Sequence, residues 1–292
     1  MPDTQICGLC GREYVPLEES HILPAFVYRW LKESSTTGFL RFGREMNRRT
    51  QDGVKGYFLC EGCEDRFQKF ETPFATKIFL PFVQNNSFAT DYDEYFRKFA
   101  ASVVWRALAY GKQKYGLKNF RSRHQGALAS ALETWKEYLL GTRNDIAGHE
   151  VHLVPFCGVA DHTMEDVPSN INRYLMRTTE MDVVVSDENA FTYVKLGPLI
   201  LVGLIVFPDR SEWINTEVLE SGHFGPDGFH APGMLLHYIF SRCKRLGELE
   251  GSLSSKQLKT IEGSYEKNTV RFENSNTREA VILDIILKER RK

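Results

Sequence analysis

Four of the six cysteines in this 292-residue chain fall in two pairs of identical spacing, Cys7-Gly8-Leu9-Cys10 and Cys60-Glu61-Gly62-Cys63. Two such C-x2-C knuckles present four thiolates, the complete tetrahedral ligand set of a structural Zn2+. A clip of this kind ties residue 10 to residue 60 and makes the Gly- and Arg-rich loop between them fold back on its own start. Sparing use of cysteine fits a reducing cytoplasm, where paired thiols serve as metal ligands rather than disulfides. Cys157 and Cys243 stand alone and are expected to behave as small buried apolar residues.

At roughly 100–200 residues per domain, the length fits two domains. Hydrophobic content of 42% and charged content of 26% are those of an ordinary soluble globular chain. The longest apolar run, Leu196–Phe207, is broken by Gly197, Pro198 and Gly203. It falls short of the ~20 residues that span a bilayer and reads as buried strand, so no membrane partner is expected. Met1-Pro2-Asp3-Thr4-Gln5 has neither the basic nor the apolar region of a secretory leader. Cytoplasmic residence is the expectation.

The chain reads as an α+β protein in three segments. Residues 1–72 form a zinc-clipped module: an amphipathic helix opens at Pro24, residues 38–56 make an exposed hairpin or loop, and Tyr57-Phe58-Leu59 is a strand entering the second knuckle. A helix follows from Glu64, with a kink or break at Pro73. Residues 73–145 are a helical segment with a basic stretch. There Phe96, Phe99, Ala100, Val103, Val104, Ala107 and Leu108 recur at helical spacing, and a second helix covers about residues 125–140. Residues 146–292 form a β-rich domain, because β-branched apolar runs at 152–156, 181–185, 191–194 and 199–207 predict an antiparallel sheet. Residues 252–277 read as polar and partly loop, and 278–287 as a short apolar segment. Gly148-His149-Glu150-Val151-His152 lacks the H-E-x-x-H spacing, and on a strand its two histidines point to opposite faces, which argues against a metal site.

A net charge of −1 excludes a generic polyanion binder, but the charge is unevenly placed. No acid occurs from Tyr95 to Leu132, a stretch holding Arg97, Lys98, Arg106, Lys112, Lys114, Lys118, Arg121 and Arg123. A second cluster, Arg41, Arg44, Arg48, Arg49 and Lys55, is opposed only by Glu45 and Asp52. Both are expected to face phosphates.

The order of motifs is C-x2-C, then Ser20-His21-Ile22-Leu23-Pro24, then a single asparagine, then C-x2-C opening a helix. Over residues 7–70 this resembles the HNH (ββα-metal) endonucleases that carry an added zinc clip. The resemblance implies a zinc-stapled, treble-clef-like ββα module with His21 as general base. It makes Asn47, the only asparagine between His21 and Cys60, the orienting residue, with Asp52 a competing loop candidate. Glu64 falls where the helix ligand of a catalytic Mg2+ or Mn2+ would be, and Ser20 stands where the family carries an Asp or His ligand. Histidine suits the task because it titrates near neutrality without perturbation, and a carboxylate suits a hard cation. Arg44, Arg48 and Arg49 would hold flanking phosphates. The implied activity is metal-dependent hydrolysis of nucleic-acid phosphodiester bonds, with DNA as substrate. Two other readings use the same residues. One is a non-cutting zinc finger that binds nucleic acid or a protein partner, its site lost with Ser20. The other is a toxin or defence effector silenced by a regulatory partner chain.

Overall fold

The computed structural model describes residues 5–85, 89–116, 120–160, 166–225 and 228–290. Strand β1 (Glu18–His21) leads to Pro24, whose φ of −55° opens helix α1 (Ala25–Glu33). A short hairpin follows, β2 (Leu40–Arg41) with β3 (Arg49–Thr50). Strand β4 (Lys55–Leu59) then returns antiparallel to β1, setting Ser20 opposite Gly56 and His21 opposite Lys55. Cys60 leads directly into α2 (Glu61–Phe74), which does not stop at Pro73 as the sequence suggests. The backbone continues through a π turn, Ala75–Phe79, into α3 (Leu80–Asn85). Proline removes one helical hydrogen bond, and the wider turn lies immediately after it.

Beyond the short β5 (Thr90–Tyr92), α4 (Glu94–Tyr115) and α5 (Ser122–Leu140) form a helical layer. Helix α4 is buried at every residue from Phe99 to Ala109, Ser102 and Arg106 included. A helix covered on all sides sits between two packed surfaces, here α2 and the large sheet. That sheet comprises β6 (Val151–Pro155), β7 (Thr179–Val185), β8 (Ala190–Leu196) and β9 (Leu199–Val206), with α6 (Ile171–Arg177) preceding β7. Its order is β6-β9-β8-β7, antiparallel throughout, so β7 is an edge. Ala190, Val194, Leu199 and Leu201 pack into the core shared with α4 and α5. Phe191, Tyr193, Ile200 and Val202 point the other way, into a second core with Leu175, Ile239 and Cys243. Both faces are covered, which is why the central strand β9 carries no polar side chain.

Strand β10 (Gly222–Phe224) pairs with β5, and four helices close the chain: α7 (Gly233–Gly251), α8 (Ser255–Lys267), α9 (Thr269–Glu273) and α10 (Asn276–Glu289). Residues 252–277, expected to be partly loop, are thus largely helical. Ser254 caps α8 by accepting a hydrogen bond from the Gln257 N–H, and neither α8 nor α9 buries a residue. Cys243 is buried as expected, whereas Cys157 is exposed. One continuous core runs from Cys7 to Phe224, so residues of all three expected segments share it. Among the described residues, no helix is long and apolar enough to cross a membrane.

Candidate functional site

The four knuckle sulfurs lie within 4.8 Å of one another. Cys10 Sγ and Cys60 Sγ are 3.8 Å apart, the edge (about 3.8 Å) of a tetrahedron with metal–sulfur bonds of about 2.3 Å. The first knuckle is closed by the Gly11 N–H on the Cys7 carbonyl (2.9 Å), with Gly11 at φ +71°, a left-handed conformation that glycine adopts without strain. The second is the first turn of α2, where the Cys63 and Glu64 N–H groups both reach the Cys60 carbonyl. A Cβ on Gly8 would sit 2.9 Å from the Phe58 ring, so glycine lets the first knuckle lie flat on β4. Arg12 donates to Cys10 Sγ (3.4 Å) and Cys60 Sγ (3.3 Å). Its cation offsets thiolate charge, and the thiolates push its own pKa up. Its place two residues after Cys10 was the only signal the sequence carried for this role. The four cysteines can hold a structural metal such as zinc.

At the end of β1, His21 Nε2 lies 2.5 Å from Asp52 Oδ1. The register that sets His21 opposite Lys55 brings the β3–β4 turn, and Asp52 with it, over the imidazole. Asp52 also accepts from the Gly53 N–H (2.9 Å) and from Lys55 Nζ (2.7 Å). Partial burial pushes its pKa up, but the Lys55 ammonium and the His21 ring outweigh this and hold it well below the usual carboxylate range. An ionised Asp52 only accepts, so Nε2 is the donor of this bond. Among the described residues Nδ1 has no hydrogen-bond partner, and the side chain is 21% exposed. A histidine oriented by a carboxylate, with its second nitrogen unengaged, can take a proton from water.

The turn that carries Asp52 is held against Tyr28, whose ring centroid is 5.7 Å from that of His21. A Cβ on Gly53 would fall 2.0 Å from the Tyr28 ring, a clash that only movement of the turn or of the ring relieves. Gly53→Ala is therefore expected to separate Asp52 from His21 without touching either side chain. A crystal structure of the variant, or loss of the downfield His21 Nε2 proton resonance in NMR spectra, checks this; an unchanged resonance would refute it.

Asn47, the expected orienting residue, is engaged elsewhere. Its Oδ1 accepts from the Ser254 N–H (2.8 Å) and its Nδ2 donates to the Ser252 carbonyl (3.2 Å), joining the β2–β3 hairpin to the start of α8. Asp52 occupies the place beside His21. Ser20 and Glu64 do come together: the Ser20 hydroxyl and the Arg106 cation favour the ionised Glu64 carboxylate, but burial outweighs both and raises its pKa. Glu64 Oε1 is buried and has no hydrogen-bond partner among the described residues. Arg106, 3% exposed, pairs with Glu71 on α2 and donates to the His21 carbonyl (3.4 Å), so it braces the end of β1 rather than facing phosphate.

Most of the acid-free stretch is neutralised in the same way. Arg97 pairs with Glu220, Lys98 with Glu94, and Arg121 and Arg123 with Asp187, while Lys118 lies outside the described residues. Of the hairpin arginines, Arg48 reaches Glu45 (3.5 Å), Arg49 lies over the Phe39 ring and Arg44 over the Phe42 ring. His152, buried against Thr216 and Glu150, has its pKa lowered to about 4 by burial, and neither it nor His149 belongs to a metal-ligand cluster among the described residues. No family model, curated protein or solved structure matches this chain, so the cysteine cluster and the His21–Asp52 pair stand on their own geometry.

Proposed function

We propose that this protein is a metal-dependent nuclease that hydrolyses phosphodiester bonds of DNA, with His21 as general base and Asp52 as its positioning residue. The observation that carries the reading is the His21–Asp52 pair, 2.5 Å apart at the end of a strand whose partner strand runs straight into the second cysteine knuckle. The β1–β4 pair followed by α2 supports a ββα reading, with α1 and the β2–β3 hairpin inserted between the two strands, and a structural Zn2+ on Cys7, Cys10, Cys60 and Cys63 would fix them. Ser20 and Glu64 stand one residue along β1 and across on α2. The unpartnered, buried Glu64 Oε1 is the type of oxygen a hard cation takes, so these two residues would hold Mg2+ or Mn2+. Such an ion, when bound, neutralises charge on the phosphate and the departing oxygen. His21 Nδ1 takes the proton of the attacking water, and Asp52 stabilises the imidazolium that results.

The test is cleavage of end-labelled DNA with Mg2+ or Mn2+, comparing the wild type with Asp52→Ala and Asn47→Ala. Wild-type cutting that stops on chelation, slows at least tenfold in Asp52→Ala and persists in Asn47→Ala is the expected result. Absence of metal-dependent cutting by the zinc-loaded wild type would overturn the enzyme in favour of a binding module.

A further inference from the structure

A groove of about 420 Å3 runs between the β2–β3 hairpin, the C-terminal half of α4 and the free edge of β7. It borders the His21–Asp52 pair through two neighbours. Val54 lines it and accepts a hydrogen bond from the Ile22 N–H, next to His21. Ala107 lines it beside Arg106, which holds the His21 carbonyl. The two walls carry the same pairing of cation and ring. On the hairpin, the Arg44 guanidinium lies 5.5 Å from the Phe42 centroid; on α4, Lys114 Nζ lies 5.7 and 5.1 Å from the Tyr110 and Tyr115 centroids. Neither Arg44 nor Lys114 makes an ion pair among the described residues, unlike most of the basic side chains nearby.

The third wall is acidic, but its acids are already engaged. Glu180 pairs with Arg242 and accepts from the Tyr174 hydroxyl, and Asp182 accepts from the Tyr238 hydroxyl and from the Val183 N–H. That last bond occupies an edge donor of β7, which a peptide adding a strand would need. Opposed aromatic rings with unpaired cations beside them suit a different ligand: a flat ring attached to a phosphate. The volume suits one such unit and cannot admit a duplex.

We infer that this groove binds an unpaired nucleotide of the substrate strand, its base stacked on Tyr110, Tyr115 or Phe42 and its phosphates on Arg44 and Lys114. The inference rests on the nuclease reading and specifies its substrate as single-stranded, or locally opened, nucleic acid.

The test measures binding without cutting. Zinc-loaded full-length His21→Ala protein, in buffer with no chelator and no added Mg2+ or Mn2+, is titrated with a single-stranded oligonucleotide carrying 2-aminopurine, and with the same sequence as a hairpin duplex. The expected result is tighter binding of the single strand, with 2-aminopurine quenched by stacking. Tyr115→Ala, at a side chain 55% exposed and thus outside the core, should weaken binding about 5- to 150-fold, and Tyr115→Phe should restore it. Arg44→Ala and Lys114→Ala should each flatten the log–log salt slope by about 0.7. Equal or tighter binding of the duplex, unquenched 2-aminopurine, or affinities and slopes unchanged by all of these variants would overturn the groove assignment. Tight, quenched single-strand binding by a protein that never cuts would support the groove while removing the nuclease reading, so the two failures are distinct.

Discussion

Replacing His21 with alanine is expected to lower the cleavage rate by about 10²–10⁴, the usual contribution of a positioned general base. Affinity for nucleic acid and zinc content should stay as they are, because a base acts in the transition state and not in binding. The fold should also survive: the side chain is partly exposed, and the strand end is held through its backbone, by Arg106 on the His21 carbonyl and by pairing with Lys55. The measurement is single-turnover cleavage in Mg2+ or Mn2+ beside circular dichroism and metal analysis. Wild-type rates in the alanine variant would sink the assignment of the base, even if the protein proves to be a nuclease.

Cys60→Ser should release the zinc and unfold roughly the first 70 residues. Structural zinc binding is worth about 10–16 kcal/mol in small zinc modules, and that free energy is folding free energy where no preformed site exists without the metal. Here the knuckle residues Cys7, Cys60 and Cys63 are buried beside Leu9, Phe58 and Phe67, so the metal and this corner of the core should be lost together. The four-stranded sheet should persist, since α4 and α5 pack one of its faces and the second core, which contains no residue of the clip, packs the other. Hydrogen exchange resolved along the chain, with zinc measured by mass spectrometry, tests both halves of the expectation. Pure, reduced wild-type protein that contains no zinc would defeat it outright.

The cysteine clip was legible in the sequence because C-x2-C is a local signature: four residues build each knuckle, and glycine marks its tight turn. The four strands of the large sheet were legible for the same reason, since β-branched apolar runs between turn residues need no knowledge of distant partners. Other features depended on residues far along the chain. Asn47 has the right type and the right place in the loop, but the α7–α8 corner, more than 200 residues later, captures both ends of its amide. Asp52 reaches His21 only because β1 and β4 pair in a register that a one-residue slip would destroy. The acid-free basic stretch is real in the sequence, yet Glu220, Asp187 and Glu71 neutralise much of it from other elements. Charge acts through space, so a segment's own composition cannot say which cations remain unpaired. The sequence by itself marked the four cysteines that cluster, the strands of the large sheet and His21 as the candidate histidine. Tertiary packing decided that histidine's partner, the engagement of Asn47 and the two unpaired cations of the groove, because each depends on which distant side chain arrives within a few ångströms.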